Sequence, residues 1–169
     1  MGRRGAGKTT TAKFIADTFG YYHIEMSQIM RTLRTIMDKE GMVLRNFVDL
    51  MHKERSKSFA VKHLHENKMF QENKIVITGI RNLNEIELMK SNYSKSTIST
   101  IYLSLNFHKR LKRVLLRENE NNFIDFIYDE YYCMKWGDKN LLNNSEKVIN
   151  SDSFSQTKNE IENLIIEYV

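Results

Sequence analysis

Residues Gly2-Arg3-Arg4-Gly5-Ala6-Gly7-Lys8-Thr9 complete a G-x-x-x-x-G-K-[ST] string at the start of the chain. This spacing points to a loop that wraps phosphate. Glycine frees the backbone to curl, so that successive N–H groups turn inward toward anionic oxygens. Gly2, Gly5 and Gly7 supply that freedom, with Arg4 and Ala6 between them and Thr10 just beyond; all are expected among the phosphate contacts. Lys8 is placed to reach the outer phosphates of a nucleotide, and the Thr9 hydroxyl to hold Mg²⁺. A helix starting near Lys8 adds its positive N-terminal end to the same anion.

Such a loop joins a strand to a helix. The helix is legible: Ala12, Phe14, Ile15 and Phe19 make an apolar stripe and Gly20 a stop. The strand is not, because only Met1 precedes Gly2. A few residues upstream of Met1 are therefore expected. Within the chain itself, a gap or a rearranged pairing is expected where that strand belongs.

With 169 residues the chain fits one domain, 1–169, large enough to bury a core. Hydrophobic residues make up 41% and charged residues 28%, the proportions of an ordinary globular protein. The formal net charge of +5 suits an acidic partner. A nucleotide satisfies that charge, and nucleic acid is not expected as a partner. The one cysteine, Cys133, excludes an intrachain disulfide and fits a reducing compartment. No apolar run approaches the roughly 20 residues that cross a bilayer. The N-terminus lacks the apolar segment of a secretory signal, and Ala6 stands where a myristoylation motif wants Ser or Thr. A cytoplasmic protein without a membrane partner is expected; oligomeric state has no signature.

Strand and helix patterns alternate along the chain. Strands are expected at 21–25, 74–78, 98–104 and 147–150. Helices are expected from a Ser27 cap toward Gly41, over 43–70 with a break near Ser56, and over 107–118, 122–135 and 155–168. Asn82-Leu83-Asn84-Glu85 reads as a capping box opening a helix through Lys90. This alternation implies an α/β fold with a parallel sheet, and function at the carboxyl ends of its strands.

The arginines sharpen that reading. Arg31 and Arg34 are one turn apart after the first legible strand, and Arg81 directly follows the next, in Thr78-Gly79-Ile80-Arg81. Arg110, Arg113 and Arg117 fall at helical spacing, which places them on one face. Transfer of a phosphoryl group needs positive charge on donor and acceptor phosphates, and guanidinium forks suit those oxygens. Elsewhere the residues suggest packing. Tyr128, Tyr131, Tyr132 and Trp136 read as a packing cluster, and Met26, Met30, Met37, Met42 and Met51 as core or pocket lining. His63 and His65, two residues apart, fall on different helix faces and make a poor metal pair.

Taken together, the phosphate loop, Glu25-Met26-Ser27-Gln28-Ile29-Met30-Arg31, the stretch from Ile75 to Asn82 with Glu85, the Arg110–Arg113–Arg117 helix, Asp129-Glu130 and Val148-Ile149-Asn150 resemble a family. The chain resembles the P-loop nucleotide kinases, in particular the dephospho-CoA-kinase-like and nucleoside monophosphate kinase-like ATP-binding proteins of archaea. The resemblance implies a P-loop NTPase three-layer α/β/α fold with a parallel sheet in order 2-3-1-4-5, its first strand missing here. It implies an acceptor-binding helical region at about 27–70 and a lid-like region at about 108–137. ATP with Mg²⁺ is the implied donor, and a small phosphorylated or nucleotide-like molecule the implied acceptor. Lys8 would stabilise the transferring group, Thr9 ligate the metal, Arg31 and Arg81 hold the acceptor, Arg113 and Arg117 close over the phosphates, and Asn150 approach the adenine.

Two positions depart from the family pattern. Gln28 and Thr78 stand where the family carries carboxylates, one before the acceptor helix and one at the end of the third strand. Glu25 is the nearest substitute; Asp49 and Asp129 are more remote. Transfer rests mainly on positioning and electrostatics, so loss of a base need not abolish it, whereas loss of both carboxylates tells against catalysis. The alternative is a catalytically impaired nucleotide-binding regulatory protein.

Overall fold

The computed structural model describes residues 1–118 and 123–168. Among them the order is α1 (Lys8–Phe19), β1 (Tyr22–Glu25), α2 (Met26–Ile36), α3 (Leu44–Glu54), α4 (Phe59–Glu66), β2 (Ile75–Thr78), α5 (Leu83–Asn92), β3 (Ile101–Ser104), α6 (Phe107–Glu118), α7 (Phe123–Trp136), α8 (Asp138–Asn143), β4 (Lys147–Asn150) and α9 (Phe154–Tyr168).

All strand pairing is parallel, in two separate two-stranded sheets, β1 with β2 and β3 with β4. These are the pairs that an order of 2-3-1-4-5 leaves on either side of its central strand. The expected gap is therefore present. On its β3 side lies Met1, whose carbonyl accepts from the Leu103 N–H at 2.9 Å and whose nitrogen donates to the Ile101 carbonyl.

Side chains alternate across each strand, and the two cores follow that alternation. Val76, Ile101, Leu103 and Ile149 face one cluster with Ile15 of α1 and Ile161 of α9. Ile24, Ile75, Ile77 and Tyr102 face the other, filled by Met30, Leu33, Phe47, Met51, Leu64 and Ile86 from α2 to α5, with Trp136 and Leu141. Helices thus cover both faces of the strands, giving three layers.

The capping box at α5 is complete: the Asn82 side chain accepts from the Glu85 N–H, and the Glu85 carboxylate accepts from the Asn82 N–H. Other boundaries differ from expectation. β1 runs into α2 without a loop, so Glu25 is the N-cap and Ser27 lies inside the helix, its hydroxyl donating to the Glu25 carboxylate at 2.6 Å. α2 ends at Ile36, short of Gly41. β3 begins at Ile101 rather than 98, because the first residue of its partner β4, Lys147, sits opposite Ile101. The six-residue α8 is too short to carry an apolar period, and the sequence gives no sign of it. The first residue expected of the helix at 122–135 lies outside the described residues.

Candidate functional site

The phosphate loop turns sharply into α1. Gly7 is the N-cap at φ +89°, a left-handed conformation that favours glycine. No side chain caps α1, so the first-turn N–H groups are left for a ligand. Gly5, at φ +81°, passes so close to α6 that a Cβ would sit 2.7 Å from the Arg110 carbonyl oxygen. Lys8 curls over the loop and donates to the Arg3 carbonyl at 2.8 Å. Burial, with the cations Arg81 and Arg110 nearby, lowers its pKa from 10.5 to about 8.

Behind the loop lies a charged network. Arg110, 4% exposed, makes a two-pronged pair with Glu130, 6% exposed, at 2.5 and 2.7 Å, and donates to the Leu105 and Arg4 carbonyls at 3.0 and 3.3 Å. Arg3 donates to the same Glu130 at 2.9 Å and to Asp138 at 2.7 Å, and Asp138 accepts from the Tyr102 hydroxyl at 2.8 Å. The arginines hold the Glu130 carboxyl below its usual range against the pull of burial, which acts the other way. Arg110 is thus turned into the protein to pin the loop, while its helical neighbours Arg113 and Arg117 line the space in front of it.

That space is a cleft of about 690 Å³. Arg4, Gly5, Ala6, Gly7, Lys8, Thr9 and Thr10 line one end. Arg31 of α2 and Arg81 after β2 also line it, with apolar walls from Met26, Met30, Val48 and Met51. Two expected contacts lie outside the lining. Gly2 instead lets the chain pass β3, where a Cβ would collide with the Leu103 carbonyl oxygen. Asn150, at the end of β4, accepts from the Asp152 N–H at 3.1 Å, and its neighbours Ser151 and Phe154 line the cleft. Arg113 is fixed by the Ser151 and Asp152 carbonyls at 3.0 and 2.7 Å. Arg81 donates to the Cys133 sulfur at 3.4 Å and lies 5.6 Å from the Trp136 ring centre. Burial pushes the Cys133 thiol up.

The carboxylates sort themselves. Gln28 is exposed on the outer side of α2, whereas Glu25 lines the cleft and is linked through Ser27 to Arg31 at 3.3 Å. Thr78 is buried at the end of β2 and bonded to His23 at 2.8 Å. Asp49 lies away from the cleft, held by Lys135 at 2.7 Å and Lys53 at 3.1 Å. Asp129 lines the cleft and meets Arg4 at 2.5 Å. Of the aromatic cluster, Trp136 is buried and Tyr132 packs on it at 5.3 Å. Tyr128 and Tyr131 are instead more than half exposed. No group of three or more His, Cys, Asp or Glu among the described residues could hold a metal. A cation here would share the Thr9 hydroxyl with phosphates and water, as Mg²⁺ readily does.

Residues 1–125 match the family model described as AAA domain. The chain belongs to this AAA domain family. Its solved neighbours share the fold at low identity. TT1252 from Thermus thermophilus is 14% identical with a TM-score of 0.63, covering 99% of this chain and 94% of that one. Shikimate kinase from Bacteroides thetaiotaomicron is 19% identical with a TM-score of 0.57, covering 96% and 92%. Deoxyadenosine kinase from M. mycoides with bound dATP is 15% identical with a TM-score of 0.53, covering 99% and 97%. No curated protein sequence matches. The architecture of this AAA-family chain is that of the P-loop NTPases. No helix among its described residues is long and apolar enough to cross a membrane.

Sequence reasoning missed the part that four residues play at the site of this AAA-family protein. Glu85 lines the cleft as well as capping α5, and burial raises its pKa from 4.5 to about 7 although the Arg81 and Asn82 N–H groups oppose the shift. Glu130 and Asp138 serve the loop from behind. Arg45, in the first turn of α3, also lines the cleft. An arginine in a helix with no strand before it carries no signal of its own.

Proposed function

We propose that this protein is an ATP-dependent kinase that moves the γ-phosphoryl group to a nucleotide or coenzyme-A-precursor-like small molecule. The observation that carries the proposal is one cleft shared by a phosphate loop and by arginines from other elements: Arg31, Arg81, Arg113 and Arg117. A binding site for nucleotide alone needs the first of these; the others suit a second set of anionic oxygens.

In this reading Lys8, with Arg113 and Arg117 from the lid-like region at about 108–137, neutralises charge on the transferring group. Arg81 lies between that group and the acceptor, and Arg31 holds the acceptor against the helices of 27–70. Thr9 is the protein's ligand to Mg²⁺, which when bound shields charge on the nucleotide oxygens. An acceptor oxygen forms a bond to the γ-phosphorus as the bond to the β-γ bridging oxygen breaks, releasing ADP. A phosphate acceptor is already anionic and has no proton to lose, which fits the absence of a carboxylate at position 28. A hydroxyl acceptor would pass its proton to Glu25, the carboxylate lining the cleft.

The test is transfer from γ-labelled ATP to nucleoside monophosphates and dephospho-CoA, with Lys8→Ala as control. Transfer to one acceptor, lost in the control, is expected. Tight ATP binding without transfer to any acceptor overturns the proposal.

A further inference from the structure

Arg45 sits where the cleft turns apolar, beside Val43, Leu44 and Val48, with only 16% of its side chain exposed. A guanidinium in such surroundings needs an anion. It takes two from α7: Asp125 at 2.9 Å and Asp129 at 3.6 Å, while its charged carbon lies 5.0 Å from the centre of the Tyr128 ring. Asp125, Tyr128 and Asp129 are three and four residues apart and so share one helix face. Asp129 also accepts from Arg4 of the phosphate loop at 2.5 Å. One carboxylate thus lies between an arginine of the donor end and an arginine of the opposite wall, and all four charged groups line the cleft.

We infer that Arg45 binds an anionic group of the acceptor, a phosphate, and that Asp125 and Asp129 hold its place until that phosphate arrives. The assignment of the acceptor end rests on the kinase reading. The Asp125 side chain is 50% exposed, and an ion pair so open to water is weak. A phosphate offers the same fork more charge and two well-placed oxygens. Acceptors carrying a phosphate are therefore preferred over the matching neutral nucleosides.

Inorganic phosphate is the probe, titrated calorimetrically into the chain with Mg²⁺ and a non-hydrolysable ATP analogue filling the loop. Arg45→Ala should weaken phosphate binding by about tenfold or more. Asp125→Asn, which frees Arg45, should strengthen it by about two- to fivefold. Opposite signs separate a place-holder from a structural tie between α3 and α7. Both variants shifting binding the same way, or neither shifting it, overturns the inference. If Arg45→Ala does not fold, the sign of Asp125→Asn decides. If the analogue does not bind, the kinase reading fails, and the same titration without it still reads the two signs. If phosphate behaves as expected but no acceptor is phosphorylated, Arg45 keeps its role and the kinase reading falls.

Discussion

Lys8 is a cation held among cations. It donates to the Arg3 carbonyl, and Arg81 and Arg110 repel it. A lysine whose pKa falls to about 8 on folding binds fewer protons in the native state than in the unfolded state between about 8 and 10.5. Stability therefore rises with pH across that window. Lys8→Met should flatten the rise, lift the melting temperature near pH 7 by about 3 °C or more, and abolish ATP binding; thermal melts with and without nucleotide check all three. Glu85 has the opposite sign. Its folded pKa of about 7 lies above the ordinary 4.5, so stability falls as pH rises between those values. Glu85→Gln keeps the capping box and should remove that fall, as denaturant midpoints across the window would report. The place of Lys8 in the loop was legible from its motif, whereas the burial of Glu85 depends on α5 docking beside the cleft.

At the scale of elements, the α6–α7 pair holds the loop. Arg110 and Glu130 are both nearly inaccessible, and breaking such a pair from one side leaves a buried charge uncompensated. Glu130→Gln should cost about 3 kcal/mol in denaturant unfolding and weaken nucleotide binding with it, since Arg110 also donates to the Arg4 carbonyl. The sequence suggested one face for Arg110, Arg113 and Arg117, but Arg110 turns inward to Glu130 while Arg113 and Arg117 line the cleft. Spacing could not tell which arginine meets a carboxylate from α7, because that depends on how two helices pack. For the same reason α1, β4 and the capping box of α5 could be read from local patterns. The start of β3 and the existence of α8 could not, since one is set by a partner strand and the other by packing.

Across the whole molecule, two half-sheets share core clusters with helices on both faces, and the cleft opens at their carboxyl edges, at Glu25 and Thr78 on one side and near Asn150 on the other. The alternating pattern and the phosphate loop foretold this arrangement. The convergence of α2, α3, α6 and α7 on one space is a property of the assembled chain. In the proposed reading, that convergence gives an anionic acceptor a place beside the nucleotide. The most direct measurement is phosphorus NMR of the protein with Mg²⁺, ATP and mixed phosphorylated acceptors. The account predicts that the γ-phosphate signal gives way to a new acceptor phosphoryl signal, one for each ADP formed. ADP with free inorganic phosphate alone would contradict it.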